Sequence, residues 1–249
     1  SLNASNIFNL YFNIYILYFI INSSYNISKN IYYSIRNKYT KQSLDIDTTV
    51  PSLDEEGRSI IYGSLLGNSI VNKCINTDKS RITFYQESSH NNYLLYLYNL
   101  INNKGYCNNN IPKILTKLSK HGKIIKYIRF NTLWNNQFNT IYDKWYLSSN
   151  TKVIPKDMNI YLTPLAIAIW TMGQGIKHNK GLLLPINSFR YNDLLYLTNI
   201  LYNKYNILCI IESNGKVNQY NIYILPEYIP NLYLLIKSYI IPSMKYKYI

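Results

Sequence analysis

Apolar positions along the chain fall into helical and alternating runs that occur in the same order twice. Arg58-Ser-Ile-Ile-Tyr-Gly-Ser-Leu-Leu-Gly-Asn-Ser69 is an apolar stretch with Gly63 and Gly67 four residues apart. About a hundred residues on, Leu162 to Lys177 carries Ala166 and Ala168 within a similar apolar run. Small residues at such intervals let two helix backbones approach more closely than the usual distance of about 8–10 Å. Each stretch ends in a glycine-bearing polar turn, Gly67-Asn68-Ser69 in one and Gly173-Gln174-Gly175 in the other. Either alone reads as an ordinary buried helix. The pair, with matching ends, reads as two copies of one packing element.

The segments around them repeat as well. Ser52-x-x-Glu55 predicts a capping box for the first helix, with acids in its first turn. Arg81 to Glu87 alternates, so Arg81, Thr83, Tyr85 and Glu87 should point away from Ile82, Phe84 and Gln86. A helix follows over 91–101, a strand over 123–132 and a helix over 138–147. After a connector over 148–159, Thr163-Pro164 predicts the start of the second small-residue helix. Strands are then expected over 181–186, 207–212 and 219–225, the last two joined at Asn214-Gly215, with helices over 191–204 and 228–239. These patterns predict an α+β, pseudo-two-fold chain: an extension or linker over 1–50 and repeats over 51–150 and 151–249.

Within the extension, Ile7 to Ile21 is an aromatic-aliphatic run of 15 residues. That is shorter than the roughly 18 of a membrane span. It lacks the basic leader and cleavage site of a secretory signal. A docking helix or core extension ranks above a membrane anchor. Asn22 to Thr49 reads as a polar, basic linker. The start at Ser suits a product trimmed from a longer reading frame.

Charge adds a partner. Lys and Arg number 26 against 12 acids, giving +14 and a pI near 9.5. The excess suggests a polyanion, nucleic acid first and an acidic membrane surface second. Abundant Asn, Ile, Tyr and Lys also reflect AT-rich codons, as in an organelle genome, which accounts for part of the charge. Lys113, Lys117, Lys120, Lys123, Lys126 and Arg129, interleaved with Tyr127, form the strongest basic run. Lysines attract phosphates and tyrosines stack on unpaired bases, although a solvated loop would show the same composition. Arg81 and Tyr85 could join that surface, as could Lys237 and Lys245 near the end of the chain. Cys74, Cys107 and Cys209 form no Cys-x-x-Cys pair and read as reduced apolar residues. His90, His121 and His178 are scattered, so no His-based dyad and no metal cluster are expected.

Over residues 52–249 the chain resembles the LAGLIDADG homing endonuclease family in its single-chain, two-repeat form. The resemblance rests on Gly63-Ser-Leu-Leu-Gly-Asn-Ser69 and on Leu162-Thr-Pro-Leu-Ala-Ile-Ala-Ile-Trp-Thr-Met172. Asn187-Ser-Phe189, Gln219-Tyr-Asn-Ile-Tyr-Ile224 and Pro242-Ser-Met-Lys-Tyr-Lys247 add to it. It implies two αββαββα-like repeats, each with a curved antiparallel sheet, joined through the two central helices. It also implies inter-repeat packing by Gly63, Gly67, Ala166 and Ala168. In that family each central helix ends in an acid that holds a catalytic divalent ion. Here those positions are Asn68 and Gln174. Lys152 and Lys247 match lysines near the family's active site. With both acids gone, no catalytic residue is expected.

The resemblance extends to intron-encoded RNA maturases, which help a group I intron fold and splice. It implies an RNA-splicing cofactor with DNA cleavage lost and no metal bound by the protein. Mg2+ would serve the partner RNA, or a residual nuclease site. The implied partners are group I intron RNA, then double-stranded DNA and a helper splicing protein, for a monomer in the mitochondrial matrix. Two alternatives stay open. One is an active site-specific homing endonuclease with unusual metal ligands. The other is a structural component of a mitoribosome-type ribonucleoprotein.

Overall fold

A computed structural model describes residues 50–119, 122–147 and 150–249. The run over 7–21, the basic linker after it, and Lys120 lie outside the described residues. Residues Val50–Ile249 form one compact unit. Its first repeat runs α1 (Glu55–Leu65), β1 (Ile70–Lys73), β2 (Ser80–Glu87), α2 (Asn91–Asn103), β3 (Ile114–Leu118), β4 (Ile124–Asn131) and α3 (Asn139–Trp145). A short helix, α4 (Met158–Tyr161), lies in the connector. The second repeat runs α5 (Pro164–Gln174), β5 (Ile176–His178), β6 (Gly181–Pro185), α6 (Tyr191–Tyr205), β7 (Cys209–Ser213), β8 (Tyr220–Ile224) and α7 (Ile229–Ile236).

The two sheets have one topology, β1-β2-β4-β3 and β5-β6-β8-β7, antiparallel throughout. On β2 burial alternates residue by residue, with Ile82, Phe84 and Gln86 inward and Arg81, Thr83 and Tyr85 partly outward. This is the pleat period of two expected from the sequence. β1, β3 and β5 escape that reading. β1 and β5 have four and three residues. All five residues of β3 are exposed, which leaves no alternation to detect.

α1 opens differently from the expected capping box. Asp54, in extended backbone just before the helix, accepts from the Gly57 amide at 2.7 Å, and Lys104 holds its other oxygen at 2.7 Å. A carboxylate caps as well as a hydroxyl does, and Lys104 fixes it from across the fold. α5 opens as its sequence suggests, with Thr163 capping the Ala166 amide at 3.2 Å and Pro164 in the first turn. The 214–219 loop is longer than a two-residue turn, because Ser213 pairs with Tyr220.

α1 and α5 cross at the centre of the unit. A Cβ on Gly63 would lie 2.3 Å from the carbonyl oxygen of Ala166 and 2.8 Å from its Cα. The backbones touch only because Gly63 has no side chain there. Ala166 and Ala168 are fully buried. One apolar core runs through both repeats around this crossing. Polar bonds cross it too: Tyr93 on α2 donates to the Ile169 carbonyl at 2.8 Å, and Tyr62 on α1 donates to Asp157 at 3.1 Å. Among the described residues no helix is long and apolar enough to cross a membrane.

Candidate nucleic-acid interface

The central helices deliver their polar ends to one place. Past Leu65 the chain turns through Gly67 to Asn68, and past Met172 through Gly173 to Gln174. A Cβ on Gly67 would stand 3.0 Å from Gln174 Cγ, so the two ends are in contact. Gln86, buried on the core face of β2, ties them together. Its amide donates to the Gly173 carbonyl at 2.8 Å, and its oxygen lies 3.4 Å from the Asn68 amide nitrogen. Asn68, Glu87, His90 and Gln174 are among the lining of a cleft of about 550 Å³ at this point. Burial and the neighbouring Lys247 lower the basicity of His90, against an opposing pull from Glu87. The alternation over 81–87 predicts Glu87 on the outward side of β2. Gln86 and His90 carry no sequence signal for this site: Gln86 is marked only by its partners on other elements, and His90 by the 3-10 turn that follows β2.

Magnesium binds hard oxygens and relies on carboxylates to balance its charge beside phosphates. The cleft offers three neutral amides, Asn68, Gln86 and Gln174, and, in Glu87, one carboxylate. No group of three or more His, Cys, Asp or Glu placed to hold a metal ion occurs among the described residues. This donor set does not suit a divalent ion of the kind held where both central helices end in acids.

Lys152 and Lys247 point at helix ends. Lys152 Nζ donates to the Ser69 carbonyl at 2.9 Å and approaches that of Gly67 at 3.4 Å. Lys247 Nζ donates to the Met172 carbonyl at 2.6 Å. Lys247 therefore donates to a carbonyl in the last turn of α5, at the negative pole of its dipole, and Lys152 holds the turn that follows α1. Burial pulls Lys247 down to about 8 and Lys152 to about 7. Trp145 and Phe189 flank the Lys152 ammonium, their ring centres at 5.8 and 5.5 Å.

The outward face of the first sheet collects part of the basic run. Pairing places Tyr85 opposite Arg129, Tyr127 opposite Leu115 and Lys117 opposite Ile125. The rings of Tyr85 and Tyr127 lie 5.4 Å apart, and Lys117 Nζ sits over both, at 5.1 and 5.3 Å. Arg81 folds over Trp134 at 4.4 Å on the same face. Thr83 stands between Asn72 and Asn131, its hydroxyl 2.7 Å from each side-chain oxygen. The basic run does not form one stripe. Lys126 pairs with Thr116 and points to the other side, Lys113 precedes β3, and Lys123 lies in the hairpin turn. Lys237 and Lys245 are exposed on 3-10 turns of the second repeat, far along the chain from this sheet.

The sequence profile of the LAGLIDADG DNA endonuclease family matches residues 58–232. The chain belongs to this family. It is 46% identical over 227 residues to the cytochrome b mRNA maturase bI2 of Saccharomyces cerevisiae, covering 89% of this chain and 53% of that protein. It is 47% identical to the cytochrome b mRNA maturase bI2 of Debaryomyces hansenii, over 78% of this chain and 74% of the relative. This chain thus spans about half the length of the first relative and three quarters of the second. Its fold is that of the homing endonuclease I-WcaI, whose structure was solved bound to its DNA recognition sequence. The TM-score is 0.68 at 23% identity, covering 84% of this chain and 92% of that one. The crossing of α1 and α5 is the LAGLIDADG helix pair, and the two sheets form its paired repeats.

Proposed function

We propose that this LAGLIDADG protein is an RNA maturase that binds and stabilises a folded group I intron and no longer cleaves DNA. One observation carries the reading: the helix pair is packed as a working frame requires, yet it ends in Asn68 and Gln174. A scaffold selected for metal-dependent cleavage would keep carboxylates there, whereas one selected for binding has no need of them. Similarity to two cytochrome b mRNA maturases supports the same conclusion and makes a cytochrome b precursor the RNA to try first. The excess of 26 basic over 12 acidic residues suits a phosphate-rich partner. The RNA supplies the splicing chemistry and its own Mg2+, and the protein supplies binding energy. We place it in the mitochondrion as a monomer of two repeats, 51–150 and 151–249, preceded by the extension over 1–50.

Filter binding tests this directly. The chain should retain precursor RNA carrying the intron far more tightly than the ligated exons, with affinity falling steeply as salt rises. Equal retention of the two RNAs would overturn the proposal. Glu87 in the cleft gives the endonuclease reading its one specific support. Site-dependent, magnesium-dependent cutting of the intronless DNA by the unaltered chain would establish that reading instead.

A further inference from the structure

Because the two sheets share one strand order, their outward faces can be compared position by position. On the first sheet that face carries three cations, Arg81, Lys117 and Arg129, with Tyr85 and Tyr127 among them, against one carboxylate, Glu87, opposite Tyr127. On the second sheet, pairing aligns Ile176, Leu183, Tyr223 and Ile210 in one row across all four strands. Ile176 and Ile210 are about half exposed, at 52% and 48%. The neighbouring row is Pro185, Asn221 and Glu212. No lysine or arginine stands in either row. The residues facing the other way, Leu182, Leu184, Ile222 and Ile224, are core. The apolar row is therefore outward-facing in its own right.

A duplex lying across both sheets would set phosphates against each of them, since both strands are charged along their whole length. The second sheet meets such a load with Ile176, Leu183, Tyr223 and Ile210 and with Glu212, and no cation stands in either row to offset that carboxylate. The first sheet offers something different from a duplex site. Tyr85 and Tyr127 are half-buried, neighbouring rings, with Lys117 above them and Arg129 exposed alongside. An A-form duplex hides its base faces, whereas an unpaired strand presents each base as a flat surface for an aromatic ring.

We propose that the first repeat's sheet alone holds the RNA, as an unpaired stretch whose bases stack on Tyr85 and Tyr127 while Lys117 and Arg129 meet its phosphates. The second sheet makes no phosphate contact. This rests on the RNA-binding reading above and specifies where and in what form the RNA is bound.

The test uses the full chain and three probes: intron-containing precursor RNA, a short uridine homopolymer, and an RNA duplex of the same length. The parent should bind the homopolymer more tightly than the duplex. Y127A should weaken both precursor and homopolymer binding about tenfold, as loss of one stacked base does. It should leave the salt dependence unchanged. R129A should lower the slope of log affinity against log salt by roughly 0.7, one phosphate contact on a single strand. I210K, on the second sheet, should change neither affinity nor slope for the precursor. Circular dichroism of each variant checks that it is folded. Precursor binding that ignores Y127A and R129A, or that strengthens and steepens with I210K, would overturn the placement while leaving RNA binding intact. A duplex bound as tightly as the homopolymer would overturn the unpaired form. A parent that does not prefer precursor RNA to ligated exons would instead refute the maturase reading itself.

Discussion

Replacing Gly63 by alanine puts a methyl carbon 2.3 Å from the Ala166 carbonyl oxygen and 2.9 Å from its carbonyl carbon. Ordinary contact begins near 3.4 Å, so the LAGLIDADG helices must separate by about 1 Å locally, a gap that forfeits a quarter to a half of each affected dispersion contact. Overpacking of this kind costs about 1–3 kcal/mol, and a rigid backbone obstacle favours the upper end. Alanine returns about 1 kcal/mol of helix propensity. The expected net loss is therefore about 2 kcal/mol. For a unit of this size that lowers the melting temperature by about 4–8 °C. Thermal denaturation followed by circular dichroism measures it. Two controls sharpen the result. Gly67→Ala meets the side chain of Gln174, which can swing aside, so it should melt within about 2 °C of the parent. Adding Ala166→Gly to Gly63→Ala should give no rescue, because the obstacle is Ala166 backbone. If Gly63→Ala melts as high as the parent, or Ala166→Gly restores it, the close crossing described above is wrong.

Other consequences can be read from the buried polar groups. Lys247 has its pKa lowered to about 8 by burial. Below that pH it is charged in both folded and unfolded states, and stability carries the full desolvation cost. Above it the folded chain releases the proton while the unfolded chain keeps it, so stability rises with pH. Denaturant titrations of the parent relative to K247M should therefore diverge by about 1 kcal/mol per pH unit between about pH 8.5 and 10. Parallel profiles would show that Lys247 is not desolvated. Tyr93→Phe removes the bond to the Ile169 carbonyl but leaves a group already inside a helix, so calorimetry should record a loss of about 0.5–1.5 kcal/mol. Millimolar magnesium in place of EDTA should leave the parent's melting temperature unchanged. In N68D/Q174D, a site half-saturated at one hundredth of the metal concentration would add about 2.7 kcal/mol. A magnesium-dependent shift in the parent itself would mean that its amides and Glu87 hold the ion after all.

Much of this fold was legible because the informative residues act locally. Gly63, Gly67 and the alanines mark a close helix crossing, Thr163-Pro164 marks a helix start, and the alternation of 81–87 fixes which side of β2 is core. Position 54 was harder: Ser52 and Asp54 both suit an N-cap, and Lys104, fifty residues away, decides between them. β3 was invisible because its five exposed residues carry no burial pattern. The site was read least completely. Asn68 and Gln174 stand out as departures from a motif. Gln86, by contrast, looks like any polar residue on an inward strand position until its partners at Asn68 and Gly173 are known. The basic run over 113–129 was read as one surface, yet a hairpin sends Lys117 and Lys126 to opposite sides. Only strand register shows that the cations of the first outward face have no counterpart on the second.

On the proposed function, the preserved LAGLIDADG frame serves RNA without cutting DNA. Single-turnover splicing of cytochrome b precursor RNA at limiting magnesium, with and without the purified chain, tests it most directly when the same preparation is also incubated with intronless duplex DNA. An RNA maturase that has lost cleavage should give faster splicing, an increase abolished by high salt, and intact DNA. Unchanged splicing together with site-dependent DNA cleavage would contradict that function.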